Sequence, residues 1–410
     1  MAASLISSLP DYDSPIFAGN LPDLVFSGID PDEGMTLKVI FDFFTSSPLN
    51  VLDETIFPDA EGNATIKIRQ VVEASLEHAY PTTDMFLQST AARRMSIIYD
   101  GILYHLTVIK GGLLIPESQY GAYDYETFFA TNLLSWMPAD RKLKYREPCF
   151  LNYFNIYSGS QLYAKSFYIT EAGALASQEY AIYTAMSVNG LYTFNVAFNQ
   201  LIVLTGESRG AIAFECYVKT GGNRISNTQR LTLVNDFDEH DDVFAFSNSV
   251  GGFETIRLTG QLTESPNHSP LAFKNFNNHL LEYEVVHERL YKKHSGFFND
   301  DTSKKWVRDF LSTHFRFHMR ITESGFEPER ITLTNMAADI VRFVINSFEF
   351  TFKYANQIPW QMNVRDTLRP INTMDAIIPE TTGDMPDSEF NEDFFNQTPL
   401  NQLSNNLLST

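Results

Sequence analysis

Apolar and polar residues alternate along most of this chain with a period of two. The clearest run is Phe348-Glu349-Phe350-Thr351-Phe352-Lys353-Tyr354, with four aromatics on one side and Glu349, Thr351 and Lys353 on the other. Successive side chains of a strand point to opposite faces, so this run predicts a strand with one dry face and one wet face. Leu37, Val39 and Phe41 repeat the pattern, and so does Phe315-Arg316-Phe317-His318-Met319-Arg320-Ile321. Two dipeptides, Asp100-Gly101 and Asn189-Gly190, stand between apolar runs. Each predicts a type I′ hairpin, joining 96–99 to 102–104 and 180–187 to 191–204. In the second return strand Tyr192, Phe194, Val196 and Phe198 share a face. Helical spacing is confined to three short stretches: Ile68, Val71, Val72 and Leu76; Tyr125, Phe128, Phe129 and Leu133; and Trp306, Val307, Phe310 and Leu311.

The predicted fold is mainly β: multi-domain sandwich or barrel modules with a few short helices and extended N- and C-terminal arms. Residues 1–30 form the first arm, punctuated by Pro10, Pro15 and Pro22 and anchored by Leu5, Ile6, Phe17 and Val25. A β-rich domain with short helices follows over 31–147, then a sandwich or barrel over 148–265. A β-rich domain with one helix spans 266–375, beginning at the turn-like Ser265-Pro266-Asn267-His268-Ser269-Pro270. Residues 376–410 are a polar tail with six acids and no Lys, Arg or His. Arms without a core of their own need something to lie on. Neighbouring subunits are the expected support, and removal of 1–30 and 380–410 is expected to leave a folded monomer that no longer assembles.

At 410 residues with 44% hydrophobic content, the chain can bury sizeable cores. Its formal charge of −20 repels phosphate backbones and anionic lipids, so specific nucleic-acid binding is not expected. Cys149 and Cys216 are too few for a disulfide framework and read as two inert thiols, with a single bridge as the alternative. The first basic residue is Lys38, and no apolar run reaches the length of a membrane span. No export leader and no membrane insertion are expected, and synthesis in a cytoplasm is. Sequons at Asn63, Asn267 and Asn396 match only a short pattern.

Candidate chemistry is sparse. Asp236, Asp238 and Asp242 lie in the acidic stretch 236–242 and are a calcium candidate, because alternating carboxylates can wrap a hard cation. The EF-hand positions for Gly and Glu hold Asp241 and Ser247 instead, and a solvated turn is the competing reading. His314 and His318 have the spacing of a zinc-binding helix pair, but Phe315 stands where the motif has Glu. The alternation there predicts a strand, with both imidazoles beside Arg316 and Arg320 on the wet face. No nucleophile elbow, Walker loop or dinucleotide fingerprint occurs, so no catalytic or cofactor-binding residue is assigned. A pair of glycosidase carboxylates cannot be located among 50 acids. Trp136, Trp306 and Trp360 read as core residues, the first two on helical faces.

Several stretches resemble structural proteins of tailed phages and prophages, especially those of Bacteroidota hosts. They are Phe57-Pro58-Asp59 with Gly62 before Ile66 and Ile68, Leu134 to Pro138 with Lys142, Pro148 to Tyr153, and Ser347–Tyr354. The most specific is Phe246-Ser247-Asn248-Ser249 with Gly251-Gly252-Phe253-Glu254-Thr255 and Thr259-Gly260. The resemblance implies a tail-tip or baseplate component of the distal-tail or hub type, in the virion. It also implies a ring of copies contacting other tail proteins, with no catalytic residues. A carbohydrate- or receptor-binding module at the tail tip is the alternative, and a hydrolase on a β scaffold is the third reading.

Overall fold

The structure, a computed structural model, describes residues 3–45, 47–207, 209–235, 240–274, 280–298, 301–322, 325–337 and 347–355. By its contacts the chain divides into Met1–Asp366 and Thr367–Thr410. All of the second unit lies outside the described residues, and with it the predicted tail and Asn396; Trp360 lies outside them too.

The described residues are mainly β, arranged in five sheets. Met35–Phe41 buries Leu37, Val39 and Phe41 as the alternation predicts. It lies between Leu49–Ile56 and Ala92–Tyr99, and the last of these turns into Ile102–Ile109. That turn is the predicted hairpin: Tyr99 faces Ile102, and Asp100 and Gly101 hold φ of 43° and 79°. A six-stranded sheet is built on Ser160–Ile169 and Ala211–Thr220. A seven-stranded sheet runs from Phe253–Leu258 at one edge to Leu262–Lys274 at the other. Within it Phe348, Phe350, Phe352 and Tyr354 are buried, while Glu349 is exposed and Thr351 and Lys353 are half-buried.

A three-stranded sheet of Met85–Leu87, Phe150–Asn155 and Gly190–Asn195 is the partition of the molecule. Leu151, Tyr153, Tyr192 and Phe194 enter one buried cluster, which also takes the inner faces of the six- and seven-stranded sheets. Phe154 and Leu191 enter the other, formed mostly by residues before 135. Both faces of this sheet are therefore dry, which is why its strands carry apolar residues at consecutive positions.

The second predicted hairpin does not form. Leu175–Tyr183 pairs with Ser160–Ile169 in the six-stranded sheet, whereas Gly190–Asn195 pairs with Phe150–Asn155 in the partition. Asn189 does turn the chain, with φ 59°, but the two flanks go to different sheets. The return strand stops at Asn195, and Phe198–Thr205 is a helix.

The N-terminal arm is extended, and its support is this chain itself. Ser4–Leu5 pairs with Leu24–Ser27, and Pro15–Phe17 pairs in parallel with Ile102–Ile109. Ile16, Phe17, Leu21, Leu24 and Phe26 are wholly buried. The expected support by neighbouring subunits is corrected for this arm: its buried side chains belong to the same cluster as Leu37, Val39 and Leu106.

Pro266 and Pro270 are not in a turn. They lie inside Leu262–Lys274, opposite Arg289 and Val285 of Leu280–His294. Proline lacks the N–H that a central strand donates, and this strand is at the sheet's edge, where the loss is tolerated.

Candidate functional site

Three clusters concentrate the buried polar groups. The first is the loop after Asp242–Ser247, the stretch that carried the resemblance most specifically. Asn248 donates from Nδ2 to the Leu134 carbonyl at 3.0 Å and to Glu254, and accepts from the Gly252 N–H at 2.6 Å. Glu254 also accepts from the Trp136 N–H at 2.8 Å, and the Trp136 indole donates to Ser249 at 2.9 Å. The Ser249 N–H donates to Asp309 at 2.7 Å, and the Ser249 carbonyl accepts from Gly112. Asn152 of the partition reaches the Phe253 carbonyl, and is joined through Thr193 to Gln88. Gly252 is required here by space: a Cβ would stand 2.2 Å from the Leu134 carbonyl oxygen. Gly251, at φ 82°, has the Lys110 carbonyl at 2.5 Å from the same position.

Burial disturbs the titration of this loop's neighbours. Desolvation pushes Glu254 up to about 7, with Asp309 adding to the rise. Asp309 is raised by burial as well. His78, which bonds the Gly251 carbonyl through Nε2 at 3.0 Å, is lowered to about 4 by burial and is a neutral donor there. Two carboxylates with raised pKa can mark an acid–base site. Glu254, however, is wholly buried, and its Oε1 accepts hydrogen bonds from Trp136 and Asn248 that tie these two loops together.

The second cluster receives one of the calcium candidates. Asp242 opens the strand Asp242–Ser247 and is buried. Its Oδ2 meets the Lys293 ammonium, itself wholly buried, and its Oδ1 accepts from His318 Nε2 at 3.1 Å. His318 Nδ1 lies 2.7 Å from the Tyr354 hydroxyl, and the ring stacks on Phe244 at 4.9 Å. Burial alone would raise the Asp242 pKa; the hydrogen bond and charge of His318, with Lys293, hold it below the ordinary value. Both oxygens of Asp242 are thus engaged. Asp236 and Asp238 lie outside the described residues. Among the described residues no three His, Cys, Asp or Glu side chains are placed to hold a metal ion.

His318 and Arg316 were expected on a wet face, and that is corrected. Arg316–Thr322 is the predicted strand, but it is central in its sheet, and both Arg316 and His318 are buried. Arg316 donates to the carbonyls of Phe310 and Leu311 at 2.7 and 2.6 Å. The opposite face is covered too, with Phe317 against Tyr80 and Phe253. His314 is exposed, away from His318, so the two do not form a pair.

The third cluster is ionic. Arg141 and Glu147 pair at 2.8 Å, Lys144 and Asp241 at 2.6 Å, and Arg257 stands 3.7 Å from both Glu147 and Asp241. Arg141, Glu147 and Arg257 line a cleft of about 360 Å³ that also includes Trp306, with the Arg141 guanidinium 5.1 Å from the indole ring. Trp306 is on the helix Asp301–Ser312, as expected. Trp136 is not helical, since its helix ends at Thr131. Cys149 and Cys216 are both free and buried. Burial pushes Cys149 up to about 11 and raises Cys216 as well, which suppresses the reactive thiolate.

Sequence reasoning missed Lys293, Tyr354 and the Asn152–Thr193–Gln88 chain as polar partners. The available signal was the density of apolar residues on both sides of Arg316 and His318, which marks a strand with two covered faces.

No protein-family model matches the chain, and no curated protein does. Among solved structures, a chain from the tail of an empty GTA particle with C6 symmetry is similar to 28% of this chain and 92% of its own length. The identity is 16% and the TM-score 0.20. The I9–I11 tandem from titin is similar over 87% of this chain and 95% of its own, at 6% identity and a TM-score of 0.14. TM-scores this low say nothing about fold or function.

Proposed function

We propose that this chain is a non-enzymatic structural component of a phage tail tip or baseplate, assembling as a ring in the virion through contacts with its own copies and other tail proteins. The sequence resemblance motivates the proposal. The observation that carries it is a long two-stranded ribbon, Leu262–Lys274 paired with Leu280–His294 over thirteen partnered positions. At about 3.4 Å per residue the shorter strand spans roughly 45 Å. Only Tyr291–His294 has a further neighbour, Glu349–Tyr354. Among the described residues, the edge of 280–290 has no third strand. The other edge carries Pro266 and Pro270, which discourage pairing there. One edge is therefore available for β-addition by a neighbour and the other is guarded.

The test is to replace 267–288 with Asn-Gly, which closes the ribbon at Pro266 and Arg289 and removes no described side chain of either buried cluster. Native mass spectrometry should show rings for the wild type and folded monomers for the variant. A wild type that stays monomeric, alone and with tail partners, would overturn the proposal.

The carbohydrate- or receptor-binding reading has one observation in its favour. Tyr12, Phe43 and Phe44 are exposed around His105, with Phe44 5.2 Å from its ring and Tyr12 equally close. Such rings can stack on sugars. Glycan-array binding that disappears in Phe44→Ala would favour it; silence would remove it.

A further inference from the structure

We infer that copies of this chain associate head to tail, with the outer face of the six-stranded sheet receiving the acidic loops 30–34 and 57–61 of the next copy. The inference rests on the proposed ring and specifies which surfaces meet in it.

The sheet face is set by strand alternation. Leu162, Ala164 and Ser166 point inward and are wholly buried, so Tyr163, Lys165 and Phe167 form the outer row. Tyr217 lies opposite Tyr163, and their rings stack at 6.5 Å with planes 5° apart. Cations lie over these rings: Lys219 at 4.7 Å from Tyr163, Arg224 at 4.9 Å from Tyr217, and Lys165 and Arg230 each at 5.0 Å from Phe167. Exposed Lys142 joins the face from the strand beside Gln229–Leu233. The acids of this face are fewer: Asp140, Glu179 and Glu215, with Glu179 paired to Lys219 and Glu215 to Arg230. A chain of net charge −20 thus carries an aromatic face on which cations outnumber anions.

Its complement is on the other lobe. Residues 1–66 contain eleven acids and one base, Lys38. Five of the acids, Asp30, Asp32, Glu33, Asp59 and Glu61, are exposed on two adjoining loops held together by the Ile29 N–H and the Gly62 carbonyl. Phe57, 64% exposed, stands beside them. An aromatic side chain ringed by carboxylates fits a surface of aromatics capped by cations. The loops are attached to the cluster on one side of the partition and the sheet face to the other. No ion pair among the described residues joins them within one chain. Two different patches that recognise each other make a heterologous contact, which closes into a ring when the rotation allows.

Sedimentation velocity at about 50 mM and about 0.5 M salt tests this. The face variant is Lys142→Glu/Lys165→Glu/Arg224→Glu. The loop variant is Asp32→Lys/Glu33→Lys/Glu61→Lys, which spares the turn-forming Asp30 and Asp59. Wild-type association should weaken with salt, and each variant alone should associate at least about tenfold more weakly. An equimolar mixture of the two should recover association, because each supplies the charge that the other expects; recovery also shows that both variants fold. If the wild type assembles but the variants assemble equally well, or their mixture stays monomeric, this contact is wrong while the ring stands. If the wild type never assembles, both fall.

Discussion

The junction around residues 248–254 and the ribbon of 262–274 and 280–294 are neighbours in sequence and opposites in construction. In the junction, Asn248, Glu254 and the backbone of Ser249 and Phe253 bond to four other segments of the chain, at 134–136, 152, 309 and 112. In the ribbon, one strand edge has no partner among the described residues beyond the four positions next to the body. The contrast separates two tasks. Buried polar groups bonded to one another fix one arrangement of two cores, although Glu254 Oε2 and His78 Nδ1 are buried without a partner. An unpaired strand edge leaves backbone donors and acceptors open to another chain, which is the use proposed for it above. Mutations on the two sides should accordingly be read out by different measurements, stability for the junction and assembly for the ribbon.

The largest effect expected on the folded side is from the N-terminal segment. Removing residues 1–27 exposes the sites of Ile16, Phe17, Leu21, Leu24 and Phe26. At about 2 kcal/mol for each fully buried side chain, the loss approaches 10 kcal/mol, comparable to the whole stability of a typical domain. The truncated protein should lack cooperative unfolding by circular dichroism. A soluble, cooperatively unfolding product would mean the segment is an accessory arm after all.

Gly252→Ala comes next. The added methyl collides with the Leu134 carbonyl of the backbone and with the Asn248 and Asn152 amides, so about 4 kcal/mol should be lost in urea denaturation. Asp242→Asn should cost about 3 kcal/mol at neutral pH, because it leaves Lys293 buried without its counter-charge. The pH dependence fixes the sign. The folded pKa of Asp242 lies below its ordinary 3.8, so its contribution is fully present above about pH 4 and lost as pH falls through the lower folded value. The Asn variant should therefore differ from wild type less in acid than at pH 7.

Glu254→Gln should act in the other direction. Its folded value of about 7 exceeds the ordinary 4.5, so the carboxyl is held neutral in the fold and stability falls as pH rises from 4.5 to 7. The Gln variant should match wild type near pH 4.5 and exceed it by up to about 3 kcal/mol above pH 7. Unfolding midpoints measured across that range check it. A Gln variant that is less stable at every pH would show that the carboxylate form is the one the junction needs.

What could be read from the sequence follows the range of the interactions. Asp100-Gly101 gave a correct hairpin because turn chemistry and the adjoining strands are contiguous. Asn189-Gly190 gave a turn with the wrong partner, because strand pairing is decided by residues such as Phe150–Asn155 that lie far away in the chain. Alternation placed Phe350 and Phe352 correctly in the core. It misplaced Arg316 and His318 but not the exposed Arg320 of the same face, since alternation cannot tell water from a buried carboxylate or carbonyl. Of the calcium candidates, Asp242 looks solvated in sequence, and only the fold brings Lys293 and His318 to it. Pro266 and Pro270 did not read as strand because an edge strand is the uncommon place where proline is compatible with a sheet.

The ribbon tests the account most directly. Native mass spectrometry of the full chain and of the form with 267–288 replaced by Asn-Gly, each checked for cooperative unfolding, separates folding from assembly in one comparison. The account predicts rings for the first and a monomer of unchanged stability, within about 1 kcal/mol, for the second. Rings that persist without the ribbon would contradict it.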